Sequence, residues 1–309
     1  GTLLTQLFYR AKELMSDGFE VEGREQRIRA AQTALRAELH DWSADEIDAF
    51  IAKGYAPYWL SLDPATHARH ARLVREAEEA GRPLTVDTRV DKDAAVTEVT
   101  IIAPDHPGLF SRLAGAFALA GATIVDAKIF TLANGMAVDV FSVQDAGSGA
   151  FDAPEKLARL SVTVGRSLEG QVRPMAELAK RKTAFPSRTR VFRVQPRVLV
   201  DNEASRTHTV VEVNGRDRPG LLYDVTRTLT GLNLQISSAK ISTYGERAVD
   251  VFYVKDVFGL KVTHDTKLAK IREQLLEALV DPDAAPAETA PPVRPRKRAP
   301  KQAKERRAK

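Results

Sequence analysis

The chain contains an internal repeat, which restricts the folds open to it more than any other feature. The segment DHPGLF at 105–110 recurs as DRPGLL at 217–222, at an offset of 112 residues (217 − 105). The segment VDVF at 138–141 recurs at 249–252, at an offset of 111 (249 − 138). Self-similarity at a nearly fixed period indicates a duplicated folding unit. We therefore expect two copies of one unit, and we expect the function to lie in these copies.

The same order of predicted elements surrounds the motif in both copies. A strand pattern precedes the motif, a helical stripe follows it, and two further strand patterns flank a turn signal, which is Asn134-Gly135 in the first copy. A second helical stripe recurs at an offset of 111, with Leu157, Leu160, Val164 and Leu168 matching Leu268, Ile271, Leu275 and Leu279. The order β-α-β-β-α-β is that of the ferredoxin-like split βαβ fold, in which both helices cover one sheet face. We expect the other face to pack on the second copy.

The two copies differ in their last strand. An alternating segment at 190–201 lies between the copies, and nothing comparable follows the second copy. We assign this strand to the first unit, which then spans 96–202, while the second unit spans 207–281 without an evident last strand. Residues 84–95 are expected to be a linker. The predicted fold class is therefore α+β, with two βαββαβ units.

Residues 1–83, before the repeat, are predicted to form a helical segment. Ser43 and Glu46 match a capping box, and Asp63, which a proline follows, matches a helix N-cap. Gly81 stands where a helix needs a left-handed residue after its end. These start and stop signals predict several helices ahead of the two units.

Two histidines, His67 and His70, share a face of the last predicted helix in this segment. No carboxylate motif flanks them and arginines surround them, so a solvated face is favoured over a metal-binding pair. A cluster between two helices is expected to pack against a neighbouring domain; its members are Tyr55, Tyr58, Trp59 and Leu60.

The net charge of +5 comes from the C-terminal tail. Residues 282–309 contain nine Lys or Arg and three Asp or Glu, a balance of +6 that leaves the rest of the chain at −1 (5 − 6). This tail lacks apolar periodicity, so we predict that it is disordered and that it solubilises the chain, with nucleic acid an improbable partner. The absence of cysteine fits a reducing cytosol, and the lack of an apolar run of roughly 18 residues predicts no membrane partner. We expect a cytoplasmic protein.

The Asp-x-Pro-Gly motif joins a predicted strand to a predicted helix. The aspartate is expected to accept amide hydrogen bonds at the helix start, the proline presets φ, and the glycine permits a tight turn. Free amides at this terminus attract a carboxylate or another polar group. An ordinary structural turn would need the same residues, but the recurrence of the motif in the same setting favours ligand binding in at least one copy.

Each copy resembles an ACT domain, a small-molecule sensing module that often binds amino acids. The resemblance implies that a ligand binds between two units, with the loop of one unit facing the second strand of the other. The ligand residues that it implies are Asp105, Pro107, Gly108, Leu109 and Thr123 in the first unit and Asp217, Pro219, Gly220, Leu221 and Gln235 in the second.

Residues 1–281 resemble the C-terminal part of the bifunctional uridylyltransferase/uridylyl-removing enzymes. The resemblance rests on the segments REQRIRAAQ (24–32), YWL (58–60) and PRVLVDNEAS (196–205), together with the two ACT-like copies. In this family a nucleotidyltransferase domain adds UMP to the nitrogen regulatory protein PII with UTP and magnesium, an HD-type hydrolase domain removes it, and the ACT pair senses glutamine. The resemblance implies glutamine as effector, PII as substrate of the whole enzyme, catalytic domains upstream, and Mg²⁺ as a cofactor of those domains only.

The sequence predicts no catalytic or metal-binding residue in this chain. It has no Gly-Ser plus Asp-x-Asp nucleotidyltransferase motif, and His40-Asp41 and His264-Asp265 match the hydrolase pair as dipeptides only. We therefore expect a fragment whose catalytic residues lie upstream of Gly1, and whose role is regulatory glutamine sensing. Two alternatives stay open: a stand-alone ACT-repeat amino-acid sensor without enzymatic activity, and a binder of nucleic acid or acidic protein that uses the tail.

Overall fold

The computed structural model describes residues 20–172, 174, 177–178, 194–218, 220–244 and 247–280. The predicted disordered tail at 282–309 lies outside the described residues, as do Pro219 and the first part of the strand predicted at 190–201. In the described part of the chain, no helix is long and apolar enough to cross a membrane.

The segment before the repeat is helical, as predicted. Its helices are α1 (Glu20–Glu38), α2 (Ala44–Lys53), α3 (Ala56–Ser61) and α4 (Pro64–Glu79). The capping box is present, since the Ser43 hydroxyl accepts from the Glu46 amide at 3.3 Å and the Ser43 amide donates to the Glu46 carboxylate at 2.8 Å. The Asp63 carboxylate accepts from the Thr66 amide at 2.9 Å, and Gly81 has the left-handed φ of 59°.

Two α+β units follow, each with an antiparallel sheet and two helices. The first unit contains β1 (Thr85–Asp91), β2 (Val96–Pro104), α5 (Leu109–Ala120), β3 (Thr123–Lys128), β4 (Met136–Gln144) and α6 (Pro154–Leu168). The second contains β5 (Arg197–Asp201), β6 (Thr209–Arg216), α7 (Leu221–Gly231), β7 (Leu234–Lys240), β8 (Thr243–Tyr244), β9 (Arg247–Asp256) and α8 (Asp265–Leu279).

Each unit begins with its edge strand. β1 pairs antiparallel with β2, and β5 pairs antiparallel with β6. The first residues of β1 and β5 are again 112 apart (197 − 85), so the repeat starts earlier than its motif. The assignment of 84–95 to a linker and of the strand at 190–201 to the first unit is therefore wrong, and the second unit does not lack a strand. The place beside β2 or β6 needs only an antiparallel neighbour, which a segment ahead of the unit provides as well as one behind it.

The two units share one nine-stranded sheet in the order β1-β2-β4-β3-β7-β9-β6-β5, with β8 beside β9. β3 and β7 join through the pair Ala127 and Ala239, and helices α5 and α7 pack together. One apolar core, which includes Phe117, Phe141 and Phe252, runs under the helices of both units. The second copy thus extends the sheet of the first at its edge. The prediction that the second copy would cover the open sheet face of the first is wrong. Two half-sheets that share an edge and a helix pair form a single core.

The helical segment covers the open sheet face of the first unit. Tyr58 and Trp59 are buried in a core with Ile102, Phe130 and Val138, and the Tyr58 and Phe130 rings lie edge to face at 5.3 Å between centroids. The prediction that this aromatic cluster packs against a neighbouring domain is right for these two residues. The other two members, Tyr55 and Leu60, are about one-third exposed, at 37% and 36%.

The solvated face predicted for the two histidines is wrong. His67 and His70 are both fully buried, with His70 Nδ1 3.3 Å from the Tyr58 hydroxyl and His67 Nε2 3.1 Å from the Tyr58 carbonyl oxygen. Burial lowers the pKa of His70 to about 3. Both rings lie on the stripe of α4 that faces the first unit, and the charges beside them in sequence could not reveal that orientation.

Candidate functional site: the two Asp-x-Pro-Gly loops

The glycine of each loop makes the turn into the following helix. Gly108 and Gly220 have φ values of 86° and 82°, and each is the N-cap of its helix with no side-chain capping bond. An L side chain at such a φ is strained, so both loops need glycine here. The amides of Leu109 and Leu221 donate to the backbone carbonyl oxygens of His106 and Arg218 at 3.0 Å, and no side chain caps the rest of either first turn. An uncapped helix N-terminus attracts an anionic group.

The aspartates do not cap the helices. Asp105 Oδ2 instead accepts a hydrogen bond from the Thr131 hydroxyl at 2.6 Å, across the sheet from the helix. The prediction of an aspartate cap is wrong because the turn places the glycine, three residues further on, at the N-cap position. The exposed Asp105 carboxylate can meet a further partner at the loop, whereas the half-buried Asp217 carboxylate accepts a hydrogen bond from the Arg218 amide.

The first loop is open to solvent and faces the second unit. Asp105 and Pro107 are exposed, while Leu109 is buried in the core. A Cβ atom on Gly108 would lie 3.2 Å from Thr230 Cγ2, at the end of α7. The loop of the first unit thus faces the second unit, at the end of a helix where the resemblance implied a strand.

The second loop is enclosed. Gly220 is buried, and a Cβ atom on it would lie 3.1 Å from Leu178 Cδ1. Asp217 is half-buried, and burial raises the pKa of its carboxyl. Arg218 stands where the first loop has a histidine, and it forms an ion pair with Asp224 at 2.6 Å and donates to the Ala278 carbonyl oxygen at 3.0 Å. The same motif therefore meets two different surroundings.

The strand residues proposed for ligand binding lie away from the loops. Thr123 is opposite Gln144 in the β3–β4 ladder, and Gln235 is opposite Lys255 in the β7–β9 ladder. In the part of the chain that the structure describes, neither side chain forms a hydrogen bond with a loop residue. The structure brings the predicted loop residues together in each unit, but it does not join these two to them.

Each loop has a buried aspartate behind it that the sequence interpretation did not select. Asp139 in β4 and Asp250 in β9 are 1% and 2% exposed and occupy equivalent positions in the repeat. Burial raises the pKa of Asp139 well above its usual value and that of Asp250 to about 7, and the charge of Asp105 or Asp217 adds to the shift. The signal was present in the sequence, because an acid inside the apolar run VDVF recurs in both copies.

The helical segment adds a polar group to the first loop only. Burial raises the pKa of the Tyr55 phenol, and the charges of Asp139 and Asp105 raise it further, which places Tyr55 close to both acids. In the second unit the corresponding strand acid, Asp250, accepts a hydrogen bond from the Ser242 amide at 3.3 Å. The first loop is thus bordered by both ACT-like units and by the helices.

A cavity of about 970 Å³ lies elsewhere, along α6 and the residues that follow it. Its lining includes Arg159, Val162, Arg166 and Val172, and none of the predicted site residues. Its volume falls within the range of small-molecule pockets. We favour the loops as the ligand site, because each has a glycine turn, a helix N-terminus without a side-chain cap and a neighbouring acid. These groups can bind the charged ends of a small polar ligand, and they recur in both copies.

The described residues do not provide a metal site. No group of three or more histidine, aspartate or glutamate side chains in the described part of the chain could hold a metal ion. We place no metal chemistry on these residues.

Two repeated α+β units with a left-handed glycine turn before the first helix define a tandem ACT-like protein. The family of ACR9-like, ACT-like domains matches residues 197–284, a match that begins at the first residue of β5. Two solved structures share 13% and 14% identity over 59% of this chain: an unknown protein from Galdieria sulphuraria (89% of that chain, TM-score 0.19) and a putative glycine cleavage system transcriptional repressor (90%, TM-score 0.21). With TM-scores this low, neither likeness bears on the fold.

The curated relatives are named bifunctional uridylyltransferase/uridylyl-removing enzymes. The protein from Azospirillum brasilense is 65% identical over 284 residues, that from Rhodospirillum rubrum 49% over 278, and that from Gluconobacter oxydans 46% over 290. These alignments cover 90–93% of this chain and 30% of each relative. The chain therefore spans about 30% of the length of these relatives, and it corresponds to the C-terminal, tandem-ACT part of this enzyme family.

Proposed function

We propose that this chain is the glutamine-sensing, regulatory part of an enzyme that attaches UMP to the PII protein and removes it. The relatives carry both activities in their name, and the chain corresponds to their ACT-like part. The observation that carries the proposal is the open first loop, which presents uncapped helix amides and an exposed carboxylate at the boundary between two units. Under this proposal UTP, Mg²⁺ and PII act at other domains of the whole enzyme, in the cytoplasm.

The loop offers complementary groups for a free amino acid. The N-terminus of α5, which no side chain caps, attracts an α-carboxylate through the helix dipole and the first-turn amides that follow Leu109. The exposed carboxylate of Asp105 would pair with an α-ammonium group. Because the loop lies between two units that share few sheet contacts, a ligand bound there can stabilise one arrangement of the units over another, which is the requirement for allosteric control.

Titration calorimetry of the chain with L-glutamine tests this proposal. We expect saturable heat in the millimolar range or below, and a loss of affinity of about tenfold or more in Asp105→Asn, which removes one charge-assisted contact. L-Glutamate is the matched control ligand, since it differs from glutamine in one side-chain group. An absence of heat and of amide chemical-shift change with millimolar glutamine would contradict sensing by this chain.

The alternative of a stand-alone ACT-repeat sensor predicts the same binding and differs in what is encoded before Gly1. An upstream coding region long enough to supply the remaining length of the relatives would contradict it. The binder that uses its basic tail makes a different prediction: removal of 282–309 would abolish binding of nucleic acid, and binding would weaken steeply with salt.

A further inference from the structure

Leu178, from the connection between the two units, lies on the loop of the second unit. Its side chain is buried in the common core at 5% exposure, and its Cδ1 atom is the nearest neighbour to a Cβ built on Gly220, at 3.1 Å. The same construction on Gly108 meets Thr230 of the opposite unit. A residue of the connection therefore stands at the second loop where a residue of the facing helix stands at the first.

Pro174 anchors this connection on helix α5. A Cβ atom on Gly115 would lie 2.6 Å from Pro174 Cβ and 2.9 Å from Tyr223 Cδ2, so the proline occupies space that only glycine leaves free. At the repeat offset of 112, Gly115 corresponds to Arg227 in α7 (115 + 112), which has a long side chain at that position. The space that accommodates the proline is thus present on α5 and not at the equivalent position of α7.

The sequence after the second unit also differs from the connection. After the hairpin the repeat offset is 111, at which Leu178 corresponds to Thr289 (178 + 111), which lies outside the described residues. A threonine cannot supply the isobutyl group that contacts Gly220. The two copies therefore differ in sequence at the position that accommodates the proline and at the position that contacts the second loop.

We propose that Leu178 is a built-in cover on the second loop, so that the first loop, Asp105–Leu109, is the ligand site of this chain. The proposal rests on the proposed amino-acid sensing. A ligand at the second loop must first displace a buried leucine, and its apparent affinity falls by the fraction of molecules in which the leucine is displaced. The second loop then serves to hold the connection and the two units together.

The experiment is a glutamine titration of the intact chain followed by amide NMR and by calorimetry. In the unmodified protein we expect the amide chemical shifts of Gly108 and Leu109 to change and saturate, and those of Gly220 and Leu221 to show no change with the same midpoint. Calorimetry should give about one bound glutamine per chain. Leu178→Ala should add a second site, reported by Gly220 and Leu221, with affinity about tenfold or more above that of the covered loop. Leu168→Ala, which shortens another leucine packed against the same core, is the matched control and should keep one site.

Each result decides one of the two proposals. Equal saturation of both loops in the unmodified protein would overturn the cover and leave amino-acid sensing intact. Binding at one site in both the unmodified protein and a folded Leu178→Ala would also overturn it. A lack of glutamine binding in every variant would overturn the sensing itself. Should Leu178→Ala fail to fold, the shift pattern of the unmodified protein still decides which loop responds.

Discussion

The two loops of the repeat have the same motif and the same backbone turn but different surroundings. Gly108 and Gly220 differ by only a few degrees in φ, and both begin a helix without a side-chain cap. The first loop is exposed at Asp105 and faces the opposite unit, whereas the second is enclosed by Leu178 and has a half-buried aspartate. A duplicated motif thus gives a duplicated conformation, and the neighbours decide which copy can meet a ligand.

The outer sheet faces of the two units also differ, since the helical segment buries the face of the first unit and far fewer apolar side chains cluster on that of the second. Four helices cover the first unit and bury Tyr58, His67 and His70 against it. Among the described residues of the second unit, the corresponding cluster consists of Ala204, Val210 and Val251, with Tyr253 packed beside it. The first unit is thus joined to the helical segment on one face and to the second unit at its edge.

The largest expected effect comes from breaking the contact between the helices and the first unit. Tyr58→Ala removes a fully buried ring from that interface and should lower the free energy of unfolding by about 3–5 kcal/mol. Urea denaturation measures the change. Leu60→Ala, two residues away on the exposed side, should cost less than about 1 kcal/mol. Similar losses in both variants would contradict the burial of the ring.

The buried aspartates should make stability fall as pH rises. Between the unfolded pKa of about 4 and the folded pKa of about 7, the unfolded chain has released the Asp250 proton while the folded protein still holds it. The free energy of unfolding should then fall by up to about 1.4 kcal/mol per pH unit in this window and level off above it. Asp250→Asn should flatten this part of the profile, as measured by denaturation at a series of pH values.

Asp139→Asn offers the matching test in the first unit. The pKa of Asp139 is also raised by burial, so its removal should change the slope in the same sense. A slope that is unchanged in both variants would show that these carboxyls are not protonated in the folded protein near neutral pH.

Gly115→Ala should disturb the contact between Pro174 and helix α5. The new methyl group would gain up to about 1 kcal/mol from helix propensity but would overlap Pro174, at a cost of about 1–3 kcal/mol, so we expect net destabilisation. Gly165→Ala in α6 is the control, since its Cβ would meet only Leu84 Cδ2 at an ordinary 3.7 Å. Thermal unfolding should show a lower midpoint for the first variant and an equal or higher one for the second.

The smallest expected effect is the difference between alanine substitutions at the two loop glycines. Gly108→Ala and Gly220→Ala both place a side chain at a left-handed φ and should each cost about 1–2 kcal/mol of stability. Only Gly108→Ala should also weaken glutamine binding, as measured by calorimetry, because it alters the open loop. Weaker binding in Gly220→Ala alone would reverse the assignment of the site.

Local patterns predicted much of the fold. The capping box, the Asp63 cap, the left-handed Gly81 and the two loop glycines follow from short-range chemistry that acts within a few residues, and the repeat itself indicated two α+β units. β1 was missed because its side chains are mostly half-buried, so it lacks the clean alternation that identifies a strand in sequence. β5 lies within the strand predicted at 190–201 but was assigned to the wrong unit, because its pairing with β6 cannot be read from the local sequence.

The candidate site, like the fold, could be predicted from the sequence only in part. The loop residues could be found from the recurring motif, whereas the burial of Asp139 and Asp250 depends on which sheet face the helices cover. The sequence by itself determined that there are two units, where helices α2 and α4 begin, and that each loop turns at a glycine, since these depend on neighbours along the chain. Only the tertiary structure decided that the units meet edge to edge, that the histidines face inward, and that Leu178 covers one loop, because these depend on contacts between residues far apart in sequence.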